Sequence, residues 1–258
     1  MTEYGSLPFR EQIAFFLRKL QLGTQAWTDV YAAEHEVAFM VAGAMKASLL
    51  SDLHKAVRSA IADGTTLAQF RQDFDATVAK HGWDYQGGRN WRSRVIFETN
   101  VRQSYHAGRE AQMADPELKA RRPYALYKHG DSTHPRPEHL AWDGLVLPVD
   151  DPWWNTHSPQ NGWGCKCKKF LLNDRDVARR GLTVSGHAPE IEWEEQVVGA
   201  RGPSPRVVTV PKGIDPGFEY RPGARRRAET LQAELLRRAE DMPPELAAAL
   251  KADLEGET

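Results

Sequence analysis

Cys165 and Cys167, spaced as Cys-Lys-Cys, are the chain's two cysteines, and they close the segment 131–167, DSTHPRPEHLAWDGLVLPVDDPWWNTHSPQNGWGCKC. His139 and His157 lie in the same segment. Thiolate and imidazole are the ligand types of tetrahedral zinc, so His139, His157, Cys165 and Cys167 form a candidate Cys₂His₂ set. The spacing is not that of a zinc finger, whose cysteines are separated by about two to four intervening residues rather than one, although a Cys-x-Cys pair can grip one metal when its backbone bends. A second reading needs no metal. The cysteines are then small core hydrophobes on a strand, and Arg136 and His139 belong to a buried polar network around Asp143. Catalytic pairings also exist on paper: His139 with Asp143 as general base, or Cys165 with His157 as thiol nucleophile. Neither comes with a nucleophile turn, an oxyanion hole or a Gly-rich phosphate loop. A His-Asn-His nuclease would draw on His139, Asn155 and His157, but Pro152 and Pro159 interrupt the ββα unit it needs. The residues argue against an enzyme.

Most of this segment cannot be helix, because Pro and Gly recur every few residues. Something other than a backbone ladder must order it. Trp142, Trp153, Trp154 and Trp163 could stack on bases, but clustered Trp and Pro more often build a small core under an irregular loop. Asp143-Gly144 reads as a turn between a helix-like RPEHLAW and the strand LVL. Asn161-Gly162 and Gly164 read as turns ahead of the cysteine strand.

The elements around the loop change character along the chain. Apolar residues at helical spacing predict a first helix through Leu20, stopped by Gly23. Thr28 is placed to cap a second, carrying Val30, Val37, Phe39–Val41 and Met45. Leu49, Leu53, Val57 and Ile61 share one face of a third, ended by Gly64. Thr65 or Thr66 caps a fourth, which stops at His81-Gly82. A long helix follows from about Trp91 to Met113. Strands are expected at Tyr124–Lys128, Val146–Leu147, Lys166–Leu172, Glu192–Val198 and Val207–Val210, with a short helix capped by Asp174. The fold class is α+β: an N-terminal helical layer (1–115), a small mixed α/β module with a long Trp/Pro-rich loop (116–212), then an extended arm and C-terminal helices (213–258), including a charged helix at about 225–240.

Composition sets outer bounds. With 258 residues, 41% hydrophobic and 27% charged, the chain can bury a core. A net charge of -1 argues against generic nucleic-acid binding. No apolar run is long enough to cross a membrane, and the N-terminus has no secretory pattern. The lone Cys-Lys-Cys pair fits a reducing compartment.

Two regions could meet partners. The 92–113 helix carries Arg92, Arg94, Arg102 and Arg109, suited to phosphates or acidic surfaces, or simply a solvated face offset by Glu98 and Glu110. Arg221, Arg225–Arg227 and Arg237-Arg238 offer a second basic stretch. The segment 211–224, PKGIDPGFEYRPGA, is broken by Pro and Gly and is expected to lie little buried on a surface. Such arms dock on neighbours, which makes Pro211, Gly213, Asp215, Pro216, Gly217 and Phe218 the best partner-binding candidates.

One ordered set of residues carries a resemblance: Arg136-x-x-His139, then Asp143-Gly144, then Trp154, then Asn161-Gly162-Trp163-x-Cys165-x-Cys167. With FREQIAFFLRKLQLGTQAWTDVYAAEHEVAFMVAGA near the start, RSRVIFETNVRQSYHAGREAQM (92–113) and VPKGIDPGFEYRPG (210–223), it resembles the phage Mu F-like minor head protein family. The resemblance implies a structural component of the phage head, active in head morphogenesis. It would bind the portal protein, other head proteins and the capsid interior, and contact packaged DNA. Its place would be the virion head interior near the portal, and the bacterial host cytoplasm during assembly. The motif residues would hold the loop in one shape. Arg136 stands where related head proteins carry the first Cys of a Cys-x-x-Cys, which weakens a four-ligand site; zinc is the one cofactor the residues admit. The rivals are a metal-dependent hydrolase or nuclease acting in DNA packaging, and a toxin-delivery domain, for whose cargo the stretch after 210–223 leaves little room.

Overall fold

The computed structural model describes residues 8–200 and 205–223, with the single positions 244 and 248. The expected charged helix at 225–240, its arginines, and all but those two positions of the terminal helix lie outside the described residues.

Helix α1 (Arg10–Leu17) opens the described chain. No α-helix follows at Thr28, which corrects the expectation of one. Two short strands, β1 (Leu20–Gln21) and β2 (Ala38–Phe39), pair in parallel, and 3₁₀ turns at Trp27–Asp29 and Ala32–Glu36 fill the interval. The cause is local. The Asp29 carboxylate accepts hydrogen bonds from the backbone of Gln25 (2.8 Å) and Ala26 (3.0 Å), and Glu34 accepts one from Tyr31 (2.7 Å). These side chains close single turns instead of opening a helix.

Regular helices then follow the apolar spacing. In α2 (Ala47–Ala62), Leu49, Leu50, Leu53 and Val57 are buried on one face. Between Thr66 and Gln69 a reciprocal capping box starts α3 (Leu67–His81): Gln69 N–H donates to the Thr66 hydroxyl (3.3 Å) and Thr66 N–H to the Gln69 side chain (2.9 Å). Gly82 ends it in the left-handed region at φ 57°. Together with Phe16, Phe39, Phe70, Phe74 and Ile96, the α2 face makes the first core. His54 sits inside it, stacked on Phe16 at 4.6 Å, and burial pushes its pKa down to about 4.

Helix α4 (Arg89–Met113) is the spine. At 25 residues it is about 37 Å long, so Ile96 joins the first core while Met113 reaches a second. A short α5 (Pro116–Arg121), capped by Asp115, leads into a three-stranded antiparallel sheet. Its centre is β3 (Tyr124–Lys128), flanked by β4 (Val146–Pro148) and β5 (Lys168–Leu172). Strand alternation splits β3 between two faces. Ala125 and Tyr127 enter the Trp-rich second core, and Leu126 packs with Val146, Leu172 and Val177 on the other side. Val177 lies on α8 (Asp174–Arg179), whose cap is Asn173 and not Asp174, since the Asn173 side chain accepts from Asp176 N–H (2.8 Å). A two-stranded antiparallel ribbon, β6 (Trp193–Val198) and β7 (Arg206–Pro211), completes an α+β fold.

The segment after β7 is not the little-buried arm that its Pro and Gly content suggested. Ile214 and Phe218 are buried within the second core, and Tyr220 is buried too. Apolar residues at irregular spacing serve a core built from loops as well as one built from helices, and periodicity does not register them.

Candidate metal centre and the loop that carries it

Two helical turns and one bend order the 131–167 loop. The first is α6 (Pro137–Ala141), with Pro137 at a helix start where its missing N–H costs nothing. It carries His139, fully inside, with its ring stacked on Trp142 (5.3 Å). The second, α7 (Trp154–His157), places Trp154 at the centre of the core, where its indole N–H donates to the Pro148 carbonyl (3.0 Å). Trp142 and Trp153 pack beside it, as expected of a small core. Trp163 differs: it is 41% exposed and meets Trp27 and Phe218 edge-on.

The bend is at the cysteines. The strand begins at Lys168 and not at Lys166, so neither cysteine is in the ladder. The backbone curls so that Cys167 N–H points at the Cys165 sulfur (3.5 Å). Gly130, just past β3, makes this curl possible: a Cβ there would land on the carbonyl oxygen of Lys166.

Among the described residues, Cys165, Cys167 and His139 are a group of potential ligands whose donor atoms all lie within 4.8 Å of one another. His139 Nδ1 is 3.8 Å from Cys165 Sγ and 3.5 Å from Cys167 Sγ. His139 Nε2 lies 2.8 Å from the Gly213 carbonyl, which can only accept. Nε2 therefore carries a hydrogen, and Nδ1 faces the sulfurs. The two thiols are coupled first through their mutual hydrogen bond, which holds Cys165 above and Cys167 below the ordinary thiol range. Tyr127, buried above them, donates to Asn161 (3.0 Å), and burial raises its phenol pKa well above normal.

His157 is not in the group. Its ring stacks on Trp153 (4.2 Å), its Nδ1 meets the Thr156 hydroxyl (2.8 Å), and burial lowers its pKa to about 4. The polar network expected around Asp143 does not form either. Asp143 turns outward and takes Lys128 (2.7 Å) and His129 N–H (2.8 Å), next to the turn at Gly144. Arg136 pairs instead with Asp215 of the 211–223 segment.

That pairing is part of a clasp. The Asp215 carboxylate also accepts from Trp163 N–H (2.8 Å), and Asp215 N–H donates to the Asn161 carbonyl (3.0 Å). A Cβ on Gly162 would land on this carboxylate. With the His139–Gly213 bond, the clasp ties the segment to the motif loop. Asp215→Ala is expected to cost about 1–3 kcal/mol, because Arg136 and Trp163 N–H lose their acceptor. It should also speed proteolytic cleavage within 211–220. Unchanged melting and cleavage would refute the clasp.

A second tie joins residues that the sequence alone assigned to solvated faces or left unassigned. Glu110 of α4, expected on a solvated face, is buried and pairs with Lys169 of β5 and with Arg221 Nε (2.7 Å). The Ser158 hydroxyl donates to Glu110 (3.1 Å). Burial pushes the Glu110 carboxyl up, but Lys169 and Arg221 outweigh it and hold it below the usual range. One trace was legible: strand alternation puts Lys169 on the inward face with Leu171.

A cleft of about 560 Å³ opens beside the thiols, lined by Trp91, Arg94, Glu98, His134, Arg136 and the ligand group. Of the five α4 arginines, Arg94 stands exposed on this cleft, and Arg89 pairs with Asp75. Arg92 donates to the Ala42 carbonyl and lies over Trp83, Arg102 pairs with Glu98 (3.2 Å), and Arg109 donates to Gln112 (2.6 Å). The helix therefore presents no continuous basic face.

Residues 51–170 match the model of the family described as Phage Mu protein F like protein. The Mu-like prophage FluMu F protein of Haemophilus influenzae is 35% identical over 186 residues, 68% of this chain and 44% of that protein. Capsid assembly protein F of Escherichia phage Mu is 31% identical over 207 residues, 75% of this chain and 47% of that protein. The chain thus spans less than half the length of either relative. No solved structure matches. The matched stretch contains most of α2, all of α4 and the whole motif loop, and through it this chain belongs to the Phage Mu F-like protein family.

Proposed function

We propose that this chain is a structural component of phage head assembly that binds the portal and the capsid interior and contacts packaged DNA. The observation that carries the reading is the alignment, across 75% of the chain, with a relative named for capsid assembly. On this reading the protein is not an enzyme. It occupies the virion head near the portal and the host cytoplasm during assembly. The docked 211–223 segment supports the loop from within, and Trp91 and Trp163, exposed along the cleft, offer a partner an aromatic surface. Arg94, an exposed arginine of α4 on the cleft, is placed to meet a phosphate.

The test is co-expression with the portal and major capsid proteins of the same phage or prophage, followed by sedimentation after nuclease treatment. Co-sedimentation with portal rings or head shells is expected. A protein that stays in the soluble fraction with every head component would sink the reading. DNA contact is tested separately, as a fall in binding with rising salt that Arg94→Ala makes shallower.

The hydrolase reading has one observation in its favour: three ligand-type side chains stand on the wall of a cleft. It requires phosphodiester cleavage with a divalent metal that disappears in His139→Ala. Activity of that kind, without co-sedimentation, would replace the assembly reading.

A further inference from the structure

The geometry points to a three-ligand soft-metal site of the zinc type, made by His139 Nδ1, Cys165 Sγ and Cys167 Sγ, with a fourth position open to the cleft and filled by exchangeable solvent. The inference stands whether the chain assembles heads or hydrolyses a substrate.

Spacing is the first support. Bonds of about 2.3 Å to sulfur and about 2.0 Å to nitrogen, set at a tetrahedral angle, hold S and N about 3.5 Å apart. His139 Nδ1 stands 3.8 Å and 3.5 Å from the two sulfurs. The third edge, between the sulfurs, is inside 4.8 Å. Two of the three edges thus already have the spacing of a tetrahedral metal site.

Orientation is the second support. Metal-bound imidazoles commonly donate their other N–H to a fixed acceptor, which selects the tautomer and aims the lone pair. The Gly213 carbonyl does this for His139. Cys167 N–H, directed at the Cys165 sulfur, supplies an outer hydrogen bond of the kind that steadies a thiolate ligand. The 211–223 segment thus has a second task, as the support of a ligand.

Access is the third. All three ligands are buried at their backs yet line the cleft. His157 is held in the core by Trp153 and Thr156, so it does not complete a closed Cys₂His₂ shell. Three protein ligands with one open position is the arrangement that keeps a metal reactive or exchangeable, in contrast to the closed four-ligand structural site.

The experiment uses the purified full chain with reduced thiols, elemental mass spectrometry and cobalt(II) titration. About one metal per chain is expected, lost in Cys165→Ser, Cys167→Ser and His139→Ala, and kept in His157→Gln. The cobalt form should show thiolate-to-cobalt charge transfer and tetrahedral d–d bands, and added azide should shift those bands. The wild-type spectrum reports thiolate ligation even if a variant fails to fold. No metal and no cobalt spectrum would overturn the site. Loss of metal in a folded His157→Gln, or bands indifferent to azide, would overturn the open fourth position.

Discussion

Glu110→Ala is expected to destabilise the protein by about 3–5 kcal/mol, because it strands a buried cation. Lys169 is 2% exposed and Glu110 6%. The Lys169 ammonium has three partners there: Glu110, the Ser158 hydroxyl (3.0 Å) and the face of Trp154 (4.9 Å). Of these only Glu110 neutralises its charge. Burial pushes Lys169 down to about 8 even with the carboxylate beside it. For a chain of this size the loss corresponds to a melting point lower by roughly 10 °C. Adding Lys169→Met to Glu110→Ala should restore part of it, since neither buried charge then remains, while Arg221, about one fifth exposed, can turn to water. Urea denaturation of the single and double variants measures both effects. A loss below about 1 kcal/mol in Glu110→Ala would show that α4, β5 and the 211–223 segment are not joined through this pair.

The second large effect is acid lability. His54 and His106 are buried, and desolvation lowers both to about 4. In the unfolded chain each takes up its proton near 6.5. Between pH 6.5 and about 4 the unfolded state therefore binds more protons than the folded one, and stability falls as pH falls. The contribution is fully present above pH 6.5. Its loss by pH 4 amounts to roughly 3 kcal/mol from each ring at about 1.4 kcal/mol per pH unit. Asp52, held at about 2 by hydrogen bonds from Lys80 and His81, extends the loss below pH 4. Chemical denaturation across pH 4–8 should give midpoints that decline from neutral pH downward, with a flatter slope in the His54→Phe, His106→Gln double variant. A flat profile in the wild-type chain would refute the account.

Much of the architecture was legible in the sequence for local reasons. Leu49, Leu53 and Val57 at helical spacing, a threonine cap at 65 or 66 and the stop at His81-Gly82 each act within a few residues, so their helices follow from the order of amino acids. The strands of the central sheet were legible too, from short runs of apolar and β-branched residues bounded by turn formers. The Thr28 region failed the same test, because there the acidic side chains of Asp29 and Glu34 capture nearby backbone N–H groups and outcompete helix formation.

For the site, the order of residues identified the chemistry and the fold selected the partners. The sequence names His139, His157, Cys165 and Cys167 as ligand types, and through the Arg136 to Cys167 motif it identifies the family. It carries no distance between positions far apart in the chain. His139 meets the cysteines because α6 and the bend before β5 sit on adjoining walls of one core, and His157 is excluded because Trp153 claims its ring. The same holds for Asp215 with Arg136 and for Glu110 with Lys169 and Arg221. A charged residue read alone is assigned to solvent, and burial with a distant counter-charge emerges only when packing brings the two together and removes the water between them.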